Sequence, residues 1–399
     1  MLARRAARLG APLHGDAGDA ISFDSGYAFP GVFPDLRAAA DRALMHHRSE
    51  SLQYGRPFGL PAMREWIAAY LHDDGVDVQP DGVLVVNGAK HGIELICRLF
   101  AEDGDCVVVT APMYFSAIPI LRSFGLEFLE IPQDDEGLDV EALGQRLRDR
   151  KQKGHAPPKF IYDVPDFHNP TGITMSRRRR EALLEISEAF GIPIIEDSPY
   201  RKLRFEGRTE PSLRALAQNG NATVFSLGTF SKLLAPGLRV GWISAPPTML
   251  ARMAQLKSDG GTCPLTQRII VEFFAGDGME RHLERARSTY AAHRDAMVTA
   301  IRRWLPDVEF SVPHGGYYLW LKFPTGADTN LVVERAHAGG VSAIPGSVFF
   351  AADDEGSAKR RGLPKRYIRL AYSHASPLEI DDGIARLAHA YRAWEKSIS

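Results

Sequence analysis

The sequence predicts an α/β protein in which a large domain, its mostly parallel sheet sandwiched by helices, is joined to a smaller α+β domain. Three observations predict it. From Val83 onward, short apolar runs alternate with amphipathic stretches, the order that builds parallel strands with helices returning across both faces. The chain has 399 residues, too many for one ordinary core. Near the C-terminus two alternating runs, YYLWLKF and YIRLAYS, precede a last helix that starts at Pro377.

The first strand is VLVVN, residues 83–87, and the apolar spacing of Ile93 to Phe100 makes the next stretch a helix. CVVVTA with Phe115 to Phe124, and FIYDVP with Arg177 to Phe190, repeat the pattern; IPIIED and TVFSLG follow as strands. After Pro264 a helical stretch breaks at Gly276, Asp277 and Gly278, and Met279 to Leu305 reads as one long helix with Arg/Glu pairs, able to bridge two domains. The expected division is an N-terminal segment, 1–45, joining the small domain; a large domain, 46–275; and a small C-terminal domain, 276–399.

An apolar content of 45% with 24% charged residues is that of a soluble globular protein. The formal net charge of -1 provides no basic field to recruit nucleic acid or an anionic membrane. The run Arg177 to Arg180 reads as the solvated start of a helix, since Leu183, Leu184, Ile186 and Ala189 follow at helical spacing. Three cysteines, Cys97, Cys106 and Cys263, form no CxxC and cannot all pair, which fits a reducing compartment. The first nineteen residues lack an apolar core of signal-peptide length, and no apolar run reaches membrane-spanning length. The expectation is a cytoplasmic protein without a nucleic-acid, membrane or metal partner.

The chemistry concentrates in TVFSLGTFSKLLAPGLRVGW, Thr223 to Trp242. Lys232 falls in the Gly/Thr/Ser turn just past an apolar strand, where α/β sheets put their reactive groups. Thr229 and Ser231 offer hydroxyls, and Arg239 follows seven residues after the lysine with Pro236 and Gly237 between. A lysine beside such a nest of donors suits a Schiff base to pyridoxal phosphate; a structural lysine on a surface loop is the plain alternative.

This segment resembles the lysine region of the fold-type I pyridoxal-phosphate enzymes, the class I/II aminotransferases, in which Ser/Thr-x-Ser-Lys is followed by Ala-Pro-Gly-x-Arg. The resemblance runs over about residues 21 to 395, with at least five motifs in family order. It implies an aspartate-aminotransferase-like fold, a pyridoxal 5'-phosphate cofactor held by the domain 46–275, and Lys232 as its anchor. Asn87 to Gly92 resembles the family's Gly-Ser-Gln-Gln phosphate loop, but reads Gly88-Ala89-Lys90-His91, so a hydroxyl is missing and a cation appears. Lys90 either adds a phosphate contact or points outward as a solvated first turn.

Tyr114, in APMYFSA, occupies the position where relatives set a ring against the pyridine face; a core tyrosine is the other reading. In DVPDFHNPTG, Asn169 matches the asparagine that donates to the cofactor's phenolic oxygen, and Tyr200 of EDSPYR would share it. Asp197 would pair with the protonated pyridine nitrogen, which makes a buried strand-end carboxylate affordable; an N-cap is the alternative. Arg369, in YIRLAYS, resembles the arginine that grips the substrate α-carboxylate, and Gly26 lies in a segment like the family's mobile substrate cover. Tyr54, in SLQYGRPF, resembles the residue that reaches the phosphate of a neighbouring subunit, implying a homodimer with shared sites.

These matches imply transfer of an amino group between an α-amino acid and a 2-oxo acid. Elimination or replacement, decarboxylation or oxidation on the same cofactor is the alternative. His168, before Asn169, would favour elimination or replacement if its ring reached the substrate. The sensing domain of a transcription regulator is a rival of another class, but such proteins carry a winged-helix region ahead of the match, where this chain has about twenty residues. A serine hydrolase of the SxxK type fails because Thr229 stands at the serine position. Substrate selectivity is expected in Gly26 to Phe33, in Tyr54 to Phe58 and in the partner chain.

Overall fold

The computed structural model describes residues 20–276, 278–351 and 363–398. Its central sheet has eight strands in the order Val83–Val86, Gly241–Ser244, Val224–Thr229, Ile194–Asp197, Ile161–Asp163, Cys106–Ala111, Glu127–Asp134 and Gly137–Leu138. The five strands from Val224–Thr229 to Glu127–Asp134 are mutually parallel. Gly241–Ser244 runs antiparallel to both of its neighbours, and Gly137–Leu138 closes an antiparallel edge. The expected fold class therefore holds.

Side chains that alternate along each strand feed separate cores, because successive residues of a strand point to opposite faces. Val107 and Val109 pack with the helix Ala89–Phe100, whereas Val108 packs with Val140–Gln152 and Arg177–Phe190. Ile195 and Phe225 likewise join the first core, Ile194 and Val224 the second. With both faces covered, strands are buried along their whole length: Val83–Val86 is apolar at every position, and Ile194–Asp197 is buried throughout although it ends in Glu196 and Asp197.

A second, three-stranded sheet places Tyr367–Ala371 between Tyr318–Lys322 and Ile344–Pro345, antiparallel to both. Arg369 thus occupies the middle strand, opposite Trp320 and Ile344. The helices Gly278–Trp304, Thr329–Ala338 and Pro377–Ile398 cover this sheet, and Ile21–Ser22 pairs in parallel with Val341–Ser342. Among the described residues no helix is long and apolar enough to cross a membrane.

The arginine run departs from its expected role. Arg177 and Arg178 are exposed and pair with Glu181 and Glu136, but Arg179 and Arg180 are buried. The helix turns Arg180 to the same side as Leu183, Leu184 and Ser187, so counting charges along the run misjudges the face they occupy. Arg180 is accommodated there by Asp166, to which it donates at 2.9 Å, and by the carbonyls of Pro165 and Met175. Arg201 donates to the same Asp166 at 3.0 Å and to Asp74 at 2.7 Å. Burial raises the Asp166 pKa, but the two guanidiniums outweigh it and hold the carboxyl below its usual range.

Asp166 lies three residues before Asn169, and Arg201 directly after Tyr200, so this ion cluster ties two cavity loops together. Removing its shared carboxylate leaves Arg201 with Asp74 and Arg180 with only Glu196 at 3.8 Å, at a cost of about 3–5 kcal/mol. Asp166→Ala should lower the urea midpoint by that equivalent with an unchanged slope. A loss under about 1 kcal/mol would show the cluster to be dispensable.

Candidate active site

A cavity of about 380 Å³ opens where the parallel strands end. This is a consequence of topology, since neighbouring strands in such a sheet send their connections to opposite faces and leave a crevice at their carboxyl ends. Lys232, Asp197, Asn169 and Arg369 all line it, drawn from four separate segments of the chain.

Lys232 sits just past the end of the strand Val224–Thr229, where the expected tight turn takes the form of a single helical turn, Phe230–Leu233. Thr229 caps that turn by accepting the Ser231 N–H at 3.1 Å, and its hydroxyl donates to Ser231 Oγ at 3.0 Å. The Lys232 ammonium donates to the carbonyl of Gly26 and lies 5.0 Å from the centre of the Tyr317 ring. Desolvation, followed by the charges of Arg369 and Arg239, pushes its pKa from 10.5 down to about 8.

Asp197 ends the strand Ile194–Asp197 and caps no helix; the N-cap of the short helix Leu213–Leu216 is Ser212, and Glu196 accepts the N–H groups of Leu213 and Arg214. The Tyr162 hydroxyl donates to Asp197 Oδ2 at 2.8 Å, while Oδ1 is buried without a partner. Burial raises the Asp197 pKa to about 6, against a smaller lowering by Tyr162. Tyr162 escapes sequence reading because cross-strand register alone sets it beside Asp197: it faces Ile195 on the neighbouring strand.

At the other wall, Arg369 is buried among the rings of Tyr318, Phe115 and Phe349, 4.3, 5.2 and 5.2 Å from its guanidinium carbon. It donates to Asn169 Oδ1 at 3.1 Å and to the Asp24 carbonyl, and its Nε has no partner. A guanidinium can only donate, so the Asn169 oxygen must face Arg369 and its NH₂ is left for another acceptor. Tyr200 donates to the Tyr318 hydroxyl at 3.2 Å. Tyr318 lies in the run YYLWLKF, yet nothing in its spacing separates it from an ordinary core tyrosine.

Gly26 passes beneath Tyr318 so closely that a Cβ would fall 2.0 Å from the phenol oxygen. Gly88 has φ of +83° at the start of the helix Ala89–Phe100, where a Cβ would lie 2.9 Å from Arg239 Nη2. Ala89, Lys90, Tyr114, Thr229, Ser231 and Arg239 line the cavity. Gly88 contributes backbone position and is not itself a lining residue. Tyr54 stands apart from the cavity, with 89% of its surface exposed.

His168 does not reach the cavity. Its ring is buried against Thr110 and Thr171, each hydroxyl 3.1 Å away, and burial pushes its pKa down to about 3. An uncharged imidazole packed behind the NPTG turn cannot act as a second acid toward a substrate in the cavity.

Comparison with known proteins agrees with this geometry. Residues 20–387 match the family model for aminotransferase class I and II. The chain is 33% identical to aromatic-amino-acid aminotransferase 1 of Thermococcus litoralis, over 94% of this chain and 89% of that one. It is 32% identical to the 2-aminoadipate transaminase of Thermus thermophilus, covering 93% and 90%. The crystal structure of a Pyrococcus horikoshii kynurenine aminotransferase, a complex containing PMP, superposes with a TM-score of 0.87 at 33% identity, covering 94% and 92% of the two chains. The chain therefore belongs to the class I and II aminotransferases, pyridoxal-phosphate-dependent transferases that move an amino group between an amino acid and a 2-oxo acid.

Proposed function

We propose that Lys232 carries pyridoxal 5'-phosphate and moves the substrate's α proton, in an enzyme whose preferred amino donors have uncharged aromatic side chains. The observation that supports the site most directly is the meeting of Lys232, Asp197 and Arg369 in one cavity of about 380 Å³. The residues fit the cofactor. Asp197 Oδ1 is a buried acceptor with nothing to accept, suited to a protonated ring nitrogen, and the helix start at Ala89 with Ser231, Thr229 and Arg239 suits a phosphate. Tyr114 would lie against the ring, and Asn169 and Tyr200 would hold its phenolic oxygen.

When bound, the cofactor supplies an electron sink for the negative charge that develops at the amino acid's α carbon. Arg369 grips the α-carboxylate through paired N–H donors and orients the α C–H toward Lys232. The Lys232 amine, with its pKa near 8, is neutral often enough to take that proton and return it. Asp197 stays ionised beside a cation, and the Gly26 segment covers the reacting atoms from water.

The donor class follows from charge. Lys90, Lys232, Arg239 and Arg369 are the cationic side chains on the cavity; if these serve phosphate, cofactor and α-carboxylate, none is left among the described residues for a second carboxylate. Tyr27, Phe115 and Tyr318 surround the substrate end instead. The relatives named for aromatic amino acids and kynurenine support the same reading, whereas the 2-aminoadipate transaminase is named for a donor with a second carboxylate.

The proposed assembly is a homodimer in which Tyr54 of the partner subunit completes each site. Exposed Met45, Leu52 and Tyr54, close together in the sequence, support it. The proposed division keeps the segment 1–45 with the small domain, 276–399, apart from the cofactor-binding domain, 46–275. A cytoplasmic location agrees with three free cysteines.

Borohydride reduction of the loaded enzyme, followed by peptide mapping, should place the pyridoxyl group on Lys232. In protein freed of cofactor, cyanate should modify Lys232 at a rate that rises about tenfold per pH unit up to pH near 8 and then levels, whereas an ordinary lysine keeps rising toward pH 10.4. Label on another lysine would sink the assignment. In donor screens, tyrosine or phenylalanine should exceed aspartate in kcat/KM by about tenfold or more; a preference for aspartate would refute the charge argument.

Asp197→Asn separates function from stability. A carboxyl whose folded pKa stands near 6, above its ordinary 3.8, loses stability as pH rises through that window, and carries a penalty of about 3 kcal/mol above it. Without cofactor, Asp197→Asn should melt no lower than wild type at pH 8, while turnover of the loaded enzyme falls at least about a hundredfold. A large drop in melting temperature with little change in turnover would contradict both parts.

A further inference from the structure

Lys90 is the second residue of the helix Ala89–Phe100, a position where a cation opposes the helix dipole, whose amino end is already positive. It also stands near another cation. Partial burial of its side chain and then the Arg239 guanidinium lower its pKa from 10.5. Neither charge is balanced: Arg239 donates to Ser231 Oγ at 3.5 Å and to the carbonyls of Pro236 and Asn87 at 3.3 and 3.2 Å, and no carboxylate pairs with Lys90 or Arg239 among the described residues.

Several buried cations elsewhere are paired with carboxylates. Arg180 and Arg201 share Asp166, and Lys257, in the loop behind Asn87, pairs with Asp259 at 3.2 Å. On the cavity wall, by contrast, Lys90 and Arg239 join Ser231 and a helix start without a carboxylate between them. Like charges placed together without a counter-ion disfavour the empty fold unless an anion is to be received. Ala89 next to Lys90 has no hydroxyl to offer, so charge does the work a hydroxyl would otherwise share.

We propose that Lys90 is a phosphate-binding residue, forming with Arg239 a two-cation clamp that sets this chain's affinity for the phosphorylated form of its cofactor. The inference rests on the pyridoxal-phosphate reading above. A dianion matches two cations in charge, and a terminal phosphate has oxygens enough to meet both while accepting from the helix N–H groups. The solvent-facing position of Lys90 lets it swing onto the phosphate after the cofactor has entered.

The test compares pyridoxal phosphate with pyridoxal, which differ only in the group that the clamp would hold. Protein freed of cofactor is titrated with each, as wild type, Lys90→Met and Lys90→Arg, at low and high potassium chloride. Lys90→Met should weaken pyridoxal phosphate on the order of tenfold or more and flatten its salt dependence, while pyridoxal changes by less than about twofold. Lys90→Arg should recover most of the loss. Equal weakening of both ligands, or no weakening of either, overturns the proposal. Should wild type hold both ligands equally, the cofactor reading itself fails, and this clamp with it.

Discussion

A carboxylate buried at a strand end with one oxygen unsatisfied is the constraint around which this molecule is arranged. Asp197 weakens the empty fold, since a buried charge with one hydrogen bond is dearer than the same charge in water. The parallel sheet tolerates it because its strands are buried on both faces and hold the carboxylate rigidly beside Tyr162. On the opposite wall Arg369 mirrors this, a guanidinium with an unsatisfied nitrogen set among three aromatic rings. Two incompletely paired charges of opposite sign face a common cavity without neutralising one another, as a site that receives a zwitterionic substrate and a charged cofactor requires.

Much of the fold could be read from residues because buried parallel strands are long in apolar residues and short in ambiguity. VLVVN, CVVVTA and TVFSLG each lie in the central sheet, and the turns that follow them line the cavity. Gly241–Ser244 was harder, since only its register with Val83–Val86 and Val224–Thr229 makes it an antiparallel insertion. Lys232, Asp197, Asn169 and Arg369 were legible from motif context, and the structure gathers them in one cavity.

What remained hidden depends on the third dimension. The burial of Arg179 and Arg180 is decided by which helix face meets the sheet, and no count of arginines contains that. Tyr162 and Tyr318 reach the site through cross-strand and inter-sheet contacts with partners far along the chain. His168 looked chemically promising beside Asn169, but residues adjacent in an irregular turn can point to opposite sides, and its ring turns to Thr110 and Thr171.

The N-terminal segment bears on the order in which the polypeptide can mature. Ile21–Ser22 finds its strand partner only at Val341–Ser342, and Asp24 meets Arg369 across 345 residues of sequence. The segment that lies over Lys232 is therefore made before the strands it docks on, Val341–Ser342 and Tyr367–Ala371, and must wait for them. Until then Lys232 faces an unfinished wall, without the Gly26 segment and without the Arg369 guanidinium. The wall of the cavity opposite Lys232 is therefore complete only once the chain has been made through Arg369.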